Sequence, residues 1–259
     1  MRLNNLKTSC VTLVALAALA VPALAQQAPT YRSIITYKVK ADRYGDFQAA
    51  VKEQAALLKE SHSDRGRTFW AAQSGLREYV AVRYFNTLAE LDTLPDPALK
   101  DHQAQAVRII DRIMQCTESM SRTIETLQPD LSFSASQEIP KMVRVIRTVV
   151  KPERVADYTA LFAAEIVPAA KKAGVQTYST GRTRFGGPSS EFRSAMGISS
   201  WAEMDSPPPV QKAMGDEAFK KFQEKLATMV VESDFNVYGY MPELSYVPES
   251  NVSTADRAK

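Results

Sequence analysis

The sequence predicts an α+β fold in which two tandem β-α-β-β-α-β repeats pack sheet to sheet as an intramolecular α+β barrel. Three observations predict it. Segments of the first half recur in the second half in the same order. Strand-like and helix-like runs alternate identically in both halves. A sheet with helices on one face leaves its other face bare, and a second copy can cover it.

Recurrence shows in three windows. Tyr37 to Phe47 matches Thr148 to Tyr158 at an offset of 111, with Val39, Lys40, Arg43 and Asp46 repeated as Val150, Lys151, Arg154 and Asp157. Ala89-Glu90-Leu91-Asp92 returns as Ala202-Glu203-Met204-Asp205 at an offset of 113, and Leu127 to Phe133 returns as Tyr240 to Tyr246 at the same offset. Chance likeness between amphipathic segments would not hold such a register. The expected layout is a first repeat over 30–133, a polar linker over 134–140, a second repeat over 141–247 and a polar tail over 248–259.

Tyr31 to Lys40 and Met142 to Val150 are rich in β-branched and aromatic residues and predict strands. A helix follows each. Tyr44, Phe47, Val51, Ala55 and Leu58 share one face in the first, and Val155, Tyr158, Phe162 and Ile166 do so in the second. Pro152 suits a helix entry, where its missing N–H costs nothing. Hairpins come next: Thr68 to Gln73 with Tyr79 to Phe85, and Val175 to Thr180 with Phe192 to Ile198. Asp96-Pro97 then offers an N-cap and an N1 proline for a helix striped by Leu99, His102, Ala106, Ile109 and Ile113. Its counterpart carries Phe219, Phe222, Leu226 and Met229. Final strands are expected over Ser121 to Leu127 and Phe235 to Tyr240.

This order is the ferredoxin-like split βαβ unit. Two tandem units of this size, with Trp201-Ala-Glu-Met-Asp205 after the third strand, resemble the dimeric α+β barrel superfamily, including its antibiotic-biosynthesis-monooxygenase-like and NIPSNAP-like domains. The resemblance covers nearly all of the chain beyond residue 25. It implies a fold, and a range of roles that runs from cofactor-independent oxygenases and haem-degrading enzymes to small isomerases.

The N-terminus reads as a secretory signal over 1–25. Arg2 and Lys7 are basic, Val11 to Val21 is apolar, and Ala23-Leu24-Ala25 fits a cleavage site. The apolar run is too short for a stable membrane anchor. The expected location is therefore periplasmic or secreted. Cleavage would leave 234 residues, lower the formal net charge from +3 to +1 and leave Cys116 as the sole cysteine. That balance excludes a nucleic-acid footprint, and one cysteine excludes an internal disulfide.

No metal-ligand spacing, nucleophile elbow, phosphate loop or dinucleotide fingerprint occurs. Chemistry is therefore sought on the strands. The ligand-binding candidates are Tyr37, Trp70, Arg83, His102, Arg122, Arg147, Tyr178 and Tyr238, with Tyr84, Thr148, Asn236 and Tyr240 beside them. An arginine facing a closed interior needs a carboxylate partner or an anionic ligand. Tryptophan and tyrosine supply an apolar wall with a polar tip. His102 is the candidate haem ligand or proton shuttle, although Gly215 stands at its counterpart. The functional expectation is a small aromatic or anionic ligand held between the sheets. The alternatives are an oxygenase-like or haem-handling enzyme and a non-catalytic interaction module, as a monomer or homodimer.

Overall fold

A computed structural model of the chain describes residues 29–136 and 138–248. The expected signal segment and all but the first residue of the polar tail lie outside the described residues.

The first half contains β1 (Tyr31–Val39), α1 (Tyr44–Glu60), β2 (Thr68–Ala72), β3 (Glu78–Phe85), α2 (Gln103–Cys116) and β4 (Thr117–Leu127). A two-residue strand, β5 (Phe133–Ser134), follows. The second half contains β6 (Met142–Val150), α3 (Val155–Leu161), α4 (Val167–Lys172), β7 (Thr177–Phe185) and β8 (Glu191–Ile198). It ends with α5 (Pro209–Met214), α6 (Asp216–Ala227) and β9 (Val230–Tyr240).

Helix α3 runs into α4 through a π-turn over Phe162–Ile166. Pro168 lies just beyond it and cannot donate an N–H, so the looser turn lets the helix continue past the proline. Helices α5 and α6 break at Gly215, whose φ is +84°. The single helix expected from Asp96 is a 3-10 turn over Pro97–His102 leading into α2, so His102 caps a junction rather than lying one turn inside a helix.

Strands run β4-β1-β3-β2-β9-β6-β8-β7, and β7 pairs back onto β4. The result is a closed, eight-stranded antiparallel barrel. Closure comes from the edges of each half's sheet. Trp70, Ala71 and Ala72 on β2 pair with Tyr240, Gly239 and Tyr238 on β9. Glu125, Thr126 and Leu127 on β4 pair with Thr183, Arg182 and Gly181 on β7. No open edge of the barrel remains to be protected. Strands β4 and β9 extend further toward their N-termini than their apolar residues suggested, because the ladders with β1 and β6 carry the polar portions. Part of the expected linker is β5, which continues along β7 through Phe133 and Tyr178.

Helices pack outside the barrel. Phe47, Val51 and Leu57 of α1 and Ile109 and Ile113 of α2 bury against the outer face of the first half. Ile166, Ala170 and Phe222 do the same in the second half. Each half also lends an apolar plug to the other. Leu131, just after β4, is fully buried against Val150, Tyr158 and Phe192. Leu244, just after β9, is buried in the core around α1. No helix among the described residues is long and apolar enough to cross a membrane.

Candidate functional site

Side chains alternate along each strand, so half of them face the barrel axis. They surround a cavity of about 910 Å³, which is ample for a small organic ligand. One end is apolar. Ile34, Trp70 and Val80 are buried there with Val82, Val143 and Tyr238 against them. The Trp70 indole donates to Thr68 Oγ1 at 2.9 Å, and its ring lies 5.1 Å from that of Tyr240. Tyr238 donates its hydroxyl to Glu78 Oε1 at 2.7 Å, which puts a carboxylate–phenol pair on the cavity wall.

The other end is charged. Glu125 has no exposed surface and accepts from Arg32 Nε at 2.5 Å and Arg193 Nη1 at 2.7 Å. Arg32 Nη2 donates to the Arg193 carbonyl at 2.6 Å. Arg193 Nη2 reaches Glu191 at 2.7 Å, and Glu191 also accepts from Arg147 Nε at 2.9 Å. Arg147 Nη1 continues to Glu232 at 2.7 Å and Asp234 at 3.0 Å. Three guanidiniums thus meet four carboxylates. Burial is the largest single influence and works against the charge on Arg32, but Glu125 and Tyr84 together outweigh it and raise the Arg32 pKa.

The two ends occupy matching places in the ladders. Arg32 pairs with Glu125 across β1 and β4, as Val143 pairs with Tyr238 across β6 and β9. Gly181 pairs with Arg193 across β7 and β8, as Trp70 pairs with Val80 across β2 and β3. A Cβ on Gly181 would lie 2.2 Å from Glu125 Oε2 and 3.0 Å from Arg32 Nη2. Glycine at that position makes room for the buried pair.

Of the eight candidates, Trp70, Arg147, Tyr178 and Tyr238 line the cavity, as do Tyr84 and Asn236. Tyr178 is on the outer face of β7, stacked on Phe133, and touches the cavity where the linker passes. Strand phase removes three others. Tyr37 packs in the helix-side core. Arg83 pairs with Glu90 at 2.9 Å, and Arg122 donates to Ser33 Oγ at 3.1 Å, both on the outer face. Thr148 shares that face. His102 caps α2 in the helix layer and is not placed to ligate a haem in the barrel. The residues that sequence reasoning missed are Arg32, Glu78, Glu125, Glu191 and Arg193. A signal for two of them was available: Glu191 and Arg193 stand two apart on one strand and so share a face.

No protein-family model matches the chain, and no curated protein matches it. Solved structures do. A candidate monooxygenase from Fusobacterium nucleatum superposes with a TM-score of 0.58 at 13% identity, covering 82% of this chain and 93% of that one. An anthrone oxidase-like protein gives 0.58 at 12% identity, covering 83% and 92%. A chlorite dismutase variant from Candidatus Nitrospira defluvii gives 0.52 at 10% identity, covering 88% and 98%. These proteins are members of the dimeric α+β barrel superfamily. This chain has the dimeric α+β barrel fold. At such identities the likeness extends to the fold alone.

Haem does not fit the donor set of the barrel interior. Neither histidine of the chain lines it, and among the phenols and carboxylates that do, Tyr238 bonds Glu78, Asp234 is held by Arg147 and Tyr84 lies against Arg32. No group of three or more His, Cys, Asp or Glu among the described residues could hold a metal ion.

Two outcomes follow from this geometry. Replacing Glu125 with Ala strands Arg32 in a buried site and should cost about 3–5 kcal/mol in urea unfolding. Glu118→Ala, which breaks the exposed pair with Lys38, should change stability by less than about 1 kcal/mol. The second outcome concerns pH. Burial, as the leading cause, raises the pKa values of Tyr37, Tyr158, Tyr178 and Tyr238, and at Tyr238 the bond to Glu78 raises it further. The unfolded chain loses its phenolic protons near pH 10, at about the ordinary tyrosine pKa, while the folded chain keeps these four. The folded state then binds more protons, so stability is full below about pH 10 and falls as pH rises through it. Urea midpoints measured across that range should fall, and Tyr238→Phe should flatten the slope.

Proposed function

We propose that the protein binds a small, uncharged aromatic molecule inside its barrel. One observation carries this: the cavity joins an aromatic, apolar end to arginines that internal carboxylates have already neutralised. An anionic ligand finds no free guanidinium there and meets more carboxylates than guanidiniums, so the aromatic half of the sequence expectation is kept and the anionic half is dropped for this site. An open cavity also favours ligand binding over a non-catalytic interaction module.

Oxidation of the bound molecule is the second reading, and the Glu78–Tyr238 pair favours it. Glu78 would accept a proton from a carbon acid, and dioxygen, as co-substrate, would take the electrons. The monooxygenase-like and anthrone oxidase-like neighbours agree with that chemistry, as does the sequence resemblance to antibiotic-biosynthesis-monooxygenase-like domains. The matched ladders further support a tandem duplication of ferredoxin-like units over 30–133 and 141–247. Arg2, Lys7, the apolar run and Ala23-Leu24-Ala25 support export to the periplasm or medium.

In a Trp201→Phe protein, Trp70 is the only indole. Titration with 1-naphthol should quench it saturably, and 1-naphthoate should bind at least about tenfold more weakly. Ala195→Phe and Val145→Phe, which fill the cavity from β8 and β6, should each weaken 1-naphthol at least about tenfold. Equal binding by both filled variants would overturn the site. For the oxidase reading, anthrone should drive oxygen uptake by the wild type, and Glu78→Gln should slow it by about 100-fold or more. Uptake unaffected by that substitution would remove Glu78 from the chemistry.

A further inference from the structure

The outer face of the second half carries another recess, separate from the barrel interior. It is a cleft of about 340 Å³ between β6, β8, β9 and the turn that begins at Trp201. Arg144 on β6 lines it, with Trp201, Met204 and Phe235 forming apolar walls. Arg144 makes no hydrogen bond or ion pair among the described residues, and its Nε is buried without a partner. Its guanidinium carbon lies 5.3 Å from the centre of the Phe235 ring. A ring face does not replace the hydrogen bonds a guanidinium gives up on leaving water. Burial, as the leading cause, pushes the Arg144 pKa down.

The matching recess of the first half shows what is missing. Ladder positions equate Arg144 with Ser33, Met196 with Arg83 and Phe235 with Arg122. At these positions of the first half both arginines have a partner: Arg83 binds Glu90, and Arg122 binds Ser33. In the second half the counterpart of Glu90 is Glu203, whose Oε1 accepts the Ser199 N–H at 2.9 Å. Methionine stands where Arg83 would have filled the space. The cleft thus combines open volume, an unpaired cation and exposed aromatic rings, with Trp201 48% and Phe235 63% exposed.

We propose that this cleft is a binding site for a small monocarboxylate with an apolar body, its carboxylate on Arg144 and its body between Trp201 and Phe235. The planar fork of a guanidinium matches a carboxylate with two parallel hydrogen bonds. The volume accommodates a single ring. Glu203, on the same cleft, keeps the anionic group at the Arg144 side. The site shares no lining residue with the barrel cavity, so it stands or falls independently of the function proposed above.

The test uses benzoate and its neutral isostere benzamide. In a Trp70→Phe protein the fluorescence reports Trp201 alone. Benzoate should quench it saturably, with benzamide at least about tenfold weaker. Arg144→Gln should lose at least about tenfold in benzoate affinity, and Arg144→Lys should lose less. Phe235→Ala, at an exposed position, should weaken benzoate without loss of fold. Ala195→Phe in the barrel should leave benzoate binding unchanged. Absence of saturable quenching, equal binding of benzamide, or unchanged affinity in both Arg144→Gln and Phe235→Ala would overturn the proposal. A benzoate site lost in Ala195→Phe but kept in Arg144→Gln would also overturn it by moving the carboxylate into the barrel.

Discussion

A carboxylate with no access to water, Glu125, is the constraint on which the rest of the barrel depends. Left alone, such a group would be neutral or would unfold its surroundings. Here it is held by Arg32 from the neighbouring strand of its own half and by Arg193 from the other half. Meeting both requires β4 to pair with β7, and it requires Gly181 where the matching ladder position of the first half carries Trp70. The ion pair, the strand closure and the glycine therefore constrain one another. Glutamate without closure would be exposed, and closure with any side chain at residue 181 would collide with the pair.

At the opposite end the same four ladder positions carry no charge: they are Val143, Tyr238, Trp70 and Val80, with Glu78 bonded to the Tyr238 hydroxyl. The comparison lies within one molecule. Apolar packing of similar volume commonly stabilises as well as or better than a buried ion pair. The charged end is therefore not the more stable solution available to this scaffold. What it provides is a polar wall facing an aromatic one across open space, and that polarity is useful only if something occupies the space. Divergence between the two ends thus ties energetics to binding more firmly than any single lining residue does.

Much of this was legible in the sequence. The β-branched runs gave the strand positions, and the apolar stripes placed Phe47, Ile109 and Phe222 on buried helix faces. The shared windows gave the order of elements in both halves. What the sequence did not disclose was phase. A strand exposes alternate residues, and a shift of one exchanges barrel interior for helix interface. Tyr37 and Arg83 lie on the helix side, while their neighbours Thr36 and Tyr84 face the cavity. The apolar residues could not settle it, because both faces of each strand are buried in a barrel wrapped by helices. Polar residues at a spacing of two, as in Glu191 and Arg193, were the better guide. Pairing between halves was hidden for another reason: Glu125 and Arg193 are far apart in the chain and meet only on closure.

Closure also explains why the cavity belongs to the joined chain and to neither half. Leu131 leaves the first half to fill the second half's core, and Leu244 returns the exchange. Each is almost wholly removed from water, a gain on the order of 2 kcal/mol apiece that neither half would keep alone. The connection between the halves is drawn into the same arrangement. Phe133 and Ser134 pair with β7, and Pro140 lies so close to Gly197 that a Cβ there would stand 3.1 Å from the Pro140 ring. Ser134, Ser136 and Pro140 line the cavity. The segment that makes the protein one chain therefore also forms part of the wall of its site. A pair of separate subunits would have no such segment, and the two ends of their barrel would be identical by symmetry. Joining the halves allows one end to keep the charges and the other the aromatic rings.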